Sequence, residues 1–296
     1  MTDTQQRTRA KVRGLALVSS LLALAWPAAC VDHDRPSAPD STKDDLPPDP
    51  APADNGWYVI AALPEGLALP PEAHAPLDRD ASDDANIARL RDTAAQRRAF
   101  LSSAIARKLL LALERARERP NFSPPCHMKQ SAKQSTSAES WARANEVGRL
   151  YALDRGLRGE PSKALDMLCD LIRMNRESLE RSCTATDTLD ATDGLADALF
   201  AAQLVLALPL PEYERPSGRL HGLLDELTAE VDATDERPQL GRLGLLSPSD
   251  TQRLDDSSAD MLAARQRVSA RLRQRAASGA LLAVEPEPAS PADSAP

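Results

Sequence analysis

Aromatic residues are scarce in this chain, at 3% of its 296 positions. A core must then be built from Leu, Ala, Val and Ile, which pack along helices. Few flat faces remain on which sugars or unpaired bases could stack. The 12 glycines form no phosphate-cradling loop, and there is no G-x-S-x-G elbow and no C-x-x-C pair. Four histidines, His33, His74, His127 and His221, are scattered. None has a His or Cys partner at metal spacing, and the adjacent side chains of Cys126 and His127 point apart, so neither a metal nor a cofactor is expected. Long apolar runs are also missing. The longest, from Gly14 to Trp26, falls short of the roughly 20 residues a spanning helix needs.

Positive charge is in deficit. The formal charge is -8, and residues 1–29 carry Arg7, Arg9, Lys11 and Arg13 against Asp3, so the remainder is more acidic still. Phosphate backbones repel such a chain, which excludes nucleic acid as the expected partner. A partner recognised through charge should be basic, although the same acidity also serves plain solubility.

What the chain does have begins at its first residues. A basic stretch ends at Arg13, the apolar run follows, and Ala28 and Ala29 precede Cys30. That three-part order is an export signal. The small residues before Cys30 resemble the lipobox of bacterial lipoproteins, with Pro27 where that family usually has Leu. The resemblance implies that Cys30 is acylated, with palmitate among the chains, and becomes the first residue of the mature protein. Several acyl chains, at roughly 0.8 kcal/mol per buried methylene, hold a protein on a bilayer without a spanning segment. Ordinary cleavage after Ala29 is the alternative. Val31 is not the Asp that favours inner-membrane retention in such lipoproteins, so the resemblance implies the periplasmic face of the outer membrane.

Between Val31 and Asn55 stand six prolines and seven aspartates against Arg35 and Lys43. Such a stretch buries too little apolar surface to offset chain entropy and reads as a disordered tether. The expected organisation is a signal peptide over 1–29, a tether over 30–55, a helical domain over 56–284 and a disordered tail over 285–296.

The domain reads as all-α, an irregular bundle of about five or six helices. Trp57 to Ile60 forms a β-prone run without a visible partner strand, and is expected to be an extended strap on the helices. One long helix is expected from Asp84 to Glu118, with Ile87, Leu90, Ala94, Leu101, Ile105 and Leu109 near one face and Pro120 ending it. A second should start near Ser137, where Thr136 and Glu139 have capping-box spacing, bury Val147, Leu150, Tyr151 and Leu157, and close at Gly159. In the third, Pro161 suits the first turn and Leu165, Leu168, Ile172 and Leu179 make a narrow stripe. The short link between the two predicts an antiparallel hairpin. A fourth helix runs from about Asp187 to Ala207, with Leu195, Leu199, Ala202 and Leu206 in register. A fifth carries Leu220, Leu223, Leu224, Leu227 and Val231. The last starts at Ser247-Pro248, passes Leu254, Met261, Val268 and Leu272, and stops at Gly279.

The segment from Gly159 to Leu165 resembles the turn of a tetratricopeptide repeat. The resemblance covers one hairpin, and no second copy stands at that family's period, so a repeat array is not expected. With the following helix from Thr186 to Phe200, the hairpin is similar to uncharacterised helical envelope proteins of Gram-negative bacteria.

The cysteines can be sorted by geometry. Cys169 and Cys183 would lie about 21 Å apart on one helix, far beyond disulfide reach. Cys126, ahead of the second helix, faces the far end of the third in an antiparallel hairpin. A Cys126–Cys183 bridge is therefore expected, with Cys169 free and buried; three reduced structural cysteines are the alternative.

Two residue pairs, Glu139-Ser140 and Glu177-Ser178, resemble the Glu-Ser of periplasmic lytic transglycosylases, in which a lone general acid suffices if burial raises its pKa. That family's downstream G-L-M-Q stretch is absent, and both glutamates are expected on exposed, charged helix faces. Arg265, Arg267, Arg271, Arg273 and Arg275 should give the last helix a basic band, either solvated or touching lipid phosphates or an acidic partner. Asn175, in the apolar stripe of the third helix, either fixes register through a buried hydrogen bond or stands at the boundary. The reading as a whole is a non-catalytic lipoprotein, anchored to the membrane by lipid and binding another envelope protein through a groove between helices. The alternatives are an immunity-type inhibitor of a periplasmic toxin and a transglycosylase-like peptidoglycan enzyme.

Overall fold

The computed structural model describes residues 49–63, 77–125, 132–209, 218–235 and 248–282. The chain divides between Leu46 and Pro47 into two units, and every described residue belongs to the second. The expected export signal, Cys30, Cys126 and the expected tail all lie outside the described residues.

Among the described residues the protein is helical and has no strand. Nine α-helices follow one another, more than the five or six expected: α1 (Trp57–Ala61), α2 (Asp83–Asp92), α3 (Ala94–Leu101), α4 (Ala104–Arg117), α5 (Ala132–Leu157), α6 (Pro161–Glu180), α7 (Ala185–Ala207), α8 (Gly218–Asp232) and α9 (Pro248–Leu282). None of them is long and apolar enough to cross a membrane.

Several boundaries differ from the sequence expectation, each for a local reason. The strap is a helix. Trp57 and Ile60 are both buried, and residues three apart share a helical face but take opposite faces of a strand. The Asn55 side chain starts this helix by accepting from the Trp57 N–H at 3.1 Å. The fold also begins before position 56: Pro52–Asp54 forms a 3-10 turn, and Asn55 is buried with its amide donating to the Ser123 carbonyl at 2.8 Å. The expected long helix breaks into α2, α3 and α4. Thr93 turns its hydroxyl back on the Arg89 carbonyl at 3.0 Å, and Ser103 caps α4 by accepting from the Ala106 N–H at 3.2 Å. The α5 helix starts at Ala132, ahead of the supposed capping box, which lies inside it. The α9 helix runs through Gly279 to Leu282. A glycine ends a helix where the chain turns left-handed, as Gly159 does with φ 77°.

From α5 onward the helices alternate in direction. Asn145 of α5 meets Asn175 of α6, and both lie against Gly194 of α7, while Gly156 lies against Val205 and Leu208, so α5 and α7 run parallel. Cys169 and Arg176 of α6 meet the Leu223 carbonyl and Glu230 of α8, so these two also run parallel. Asp193 and the Leu206 carbonyl of α7 meet Ser257 and Arg275 of α9 in the same sense. The most extensive packing is between α7 and α9. Leu254, Met261, Val268 and Leu272 of α9 are all buried. The α6 stripe of Leu165, Leu168 and Ile172 lies at the centre of a single core that includes Trp57, Phe122 and Trp141.

Candidate functional site

A groove opens on the face shared by α4, α5 and α6. Its volume is about 230 Å³, and it is lined by Leu110, Glu114 and Arg117 of α4, Tyr151 of α5, and Lys163, Asp166 and Met167 of α6. Leu110 and Met167 are only partly buried and lie against the core, so they give the groove an apolar floor. Leu111, on the outer side of α4, is 46% exposed.

The rim is held by paired charges. Arg117 donates to Asp166 at 3.1 Å and to Asp170 at 3.0 Å, and Arg173 donates to the other oxygen of Asp170 at 3.0 Å. Burial pulls the Arg117 guanidinium down, but hydrogen bonds to Asp170 and Asp166 outweigh it and leave the group above its ordinary value. Burial likewise raises Asp170, in spite of Arg117 and Arg173. At the turn between α5 and α6, Arg155 lies 4.9 Å from the centre of the Tyr151 ring and donates to Glu160 at 3.1 Å. Lys163 donates to the same carboxylate at 2.6 Å. That bond, before all other causes, lowers the Glu160 carboxyl. An apolar floor whose rim is held by the Arg117 and Glu160 ion pairs can accept a side chain of a partner, and it presents no nucleophile beside a base.

The residues singled out in the sequence separate from this groove. Glu139 is exposed and pairs with Arg143 at 2.9 Å, four residues on. Glu177 is not on an exposed face: it is half-buried, it accepts from the Phe122 backbone, and burial raises its carboxyl, with Arg173 opposing. Ser178 beside it is buried, as are the aromatic side chains of Phe122 and Trp141. His221 is exposed on α8. Among the described residues no group of three or more His, Cys, Asp or Glu side chains is placed to hold a metal ion. Cys169 is a free, buried thiol whose Sγ–H points at the Leu223 carbonyl, 3.8 Å away. Cys183 is half-buried just past α6, with its Sγ 3.4 Å from the Arg181 carbonyl.

Asn175 is 0% exposed and donates to Leu171 O at 2.8 Å and to Asn145 Oδ1 at 3.3 Å. It is thus a buried register residue rather than a boundary one. The pair fits only because α7 has a glycine opposite: a Cβ on Gly194 would fall 2.6 Å from Asn145 Nδ2 and closer still to Asn175 Oδ1.

The basic band of α9 is not a free face. Arg275 donates to the Leu206 and Leu208 carbonyls at the end of α7, both at 2.8 Å. Arg265 donates to the Val231 carbonyl at 2.9 Å, Arg271 to Asp83 at 2.7 Å, and Arg267 to the Arg79 carbonyl at 3.2 Å. Arg79 in turn reaches Asp197 of α7 at 2.6 Å and bonds Asp260 of α9. Only Arg273 turns outward, onto the Ser269 carbonyl of its own helix.

Compared with protein-family models, curated proteins and solved structures, the chain finds no match.

Proposed function

We propose that this protein is a lipid-anchored envelope lipoprotein without catalytic activity, fixed through Cys30 to the periplasmic side of the outer membrane, whose helical domain captures another envelope protein in the α4–α5–α6 groove. The observation that carries the binding role is the groove itself, where Leu110 and Met167 lie open between Arg117 and Lys163, each already bound to a carboxylate, with Glu114 also on the rim. A partner that inserts an apolar side chain there gains burial without breaking an ion pair. The anchor rests on the Ala28-Ala29-Cys30 sequence, and the disulfide is assigned as Cys126–Cys183.

The binding role is tested by pull-down from solubilised envelope with the intact chain and with Met167→Glu. The variant should lose one specific partner while melting within a few degrees of the wild type; identical partner lists would refute the groove. Metabolic labelling with a clickable palmitate should mark the wild type and not Cys30→Ala. Non-reduced peptide mapping should recover Cys126 joined to Cys183.

The burial of Glu177 is the one observation that favours acid catalysis on peptidoglycan. Its neighbours argue against it: Phe122 and Trp141 are buried and leave no aromatic cleft. Turnover of purified sacculi that vanishes in Glu177→Gln would reverse this assignment.

A further inference from the structure

We propose that the outer face of α4 lies on an anionic lipid surface, with Arg107, Lys108 and Arg115 on headgroup phosphates and Leu111 dipping between them. At 100° per residue these four fall within about 100° of arc. All four are exposed. Glu114 lies just outside that arc, and Glu118 shares it only at the C-cap, after the last turn. Lys108 and Arg115 make no ion pair with any described residue, and the Arg107 guanidinium bonds only the Ser103 carbonyl of its own helix, at 3.4 Å. Leu111 is the sole large hydrophobic side chain exposed among the described residues.

Charge complementarity selects the occupant. The chain carries a formal charge of -8, so most of its surface is repelled by an anionic bilayer, and a local cationic face sets one orientation. One leucine framed by long basic side chains is too small an apolar patch for a protein interface. It suits a headgroup layer, where the basic stems lie along the boundary and their charges reach phosphate.

The position of α4 in the fold agrees. Residues ahead of α1 dock at its C-terminal end: Arg119 donates to the Ala53 carbonyl at 2.6 Å, and the Asn121 N–H donates to that of Asp54 at 3.1 Å. The chain therefore joins the domain beside α4. Nineteen positions separate Cys30 from Asp49, a reach of at most about 65 Å. An acylated Cys30 holds the domain within that reach of a bilayer; in that respect the inference rests on the proposed anchor.

The test uses the mature chain, residues 30–296, made without lipid as Cys30→Ser, and floats it with vesicles of phosphatidylglycerol and phosphatidylethanolamine or of phosphatidylcholine alone. Binding to the anionic vesicles should be at least tenfold stronger, fall steeply between 50 mM and 500 mM salt, and be lost in Lys108→Glu/Arg115→Glu, whose melting should match the parent. Leu111→Ser should weaken it severalfold. Equal flotation of parent and double variant, equal binding to neutral vesicles, or no flotation at all would overturn the proposal. Capture of an acidic envelope protein by this face without flotation would overturn it too, and reassign the face to protein. Because this chain has no acyl group, a failure of palmitate labelling in cells removes the anchor without touching the vesicle result.

Discussion

On α9, Arg275 closes the end of α7, Arg265 closes the end of α8 and Arg271 reaches Asp83, whereas on α4 the side chains of Lys108 and Arg115 extend into solvent without a partner among the described residues. Both helices are rich in basic residues, and along the sequence α9 has the denser band. The difference lies in their neighbours. The C-terminal ends of α7 and α8 lie beside α9, and each leaves carbonyl oxygens without intrahelical donors. A guanidinium carries several N–H groups in a planar fork and satisfies two such oxygens at once. Cations near a helix C-terminus also favour its dipole. Among the described residues no helix end meets Lys108 or Arg115 on the outer face of α4, and both side chains stay exposed.

This contrast can be broken by mutation, and the largest effect should come from the cation most fully enclosed. Arg97 of α3 is 2% exposed, donates to the Leu90 carbonyl at 2.9 Å and stands 3.8 Å from Asp154 of α5. Asp154→Ala leaves that buried guanidinium without its counter-charge and should cost about 3–5 kcal/mol in urea denaturation. Gly194→Ala should be nearly as severe, at about 1–3 kcal/mol, because its methyl would overlap the Asn145–Asn175 pair. Arg275→Ala strips the Leu206 and Leu208 carbonyls of their donors and should cost about 2 kcal/mol. Lys108→Ala and Arg115→Ala should stay within about 0.5 kcal/mol of the wild type. Equal losses from Arg275→Ala and Arg115→Ala would erase the distinction between the two helices.

A separate effect concerns pH. Asp190 of α7 is raised to about 6, first by burial and then by Asp187 and Asp193, with Arg253 opposing. The folded state then holds this proton more tightly than the unfolded chain, whose carboxyl keeps its ordinary value of 3.8. Its contribution to stability is complete below about pH 4 and is lost as pH rises through 6. Asp190→Asn should therefore gain on the wild type at pH 7.5 and lose most of that advantage at pH 4.5. An advantage independent of pH would show that the gain comes from packing.

How legible the fold was depends on the element. The α6 stripe and the turn at Gly159 could be read directly, because an amphipathic period and a left-handed glycine are local properties. The helices α7 and α8 and the start of α9 were equally plain. The break at Ser102-Ser103 was not read, because its capping side chain stands inside a longer apolar period. Trp57 to Ile60 misled because β propensity in a run of four carries less weight than one capping side chain, that of Asn55. Of the groove, only Tyr151 had been named among apolar positions. Leu110, Met167 and the Arg117–Asp166 pair come from helices far apart in the chain, and no short-range signal joins them.

The order of residues by itself determined the helical class, the turn geometry at Gly159 and the freedom of the Cys169 thiol, since each follows from periods and distances along one segment. Only the tertiary structure decided which arginines are occupied, why Gly194 must face the Asn145–Asn175 pair, and where a groove opens. Those outcomes depend on which side chains from distant segments share the same few ångströms, and hydrogen bonds and steric overlap act at that range alone.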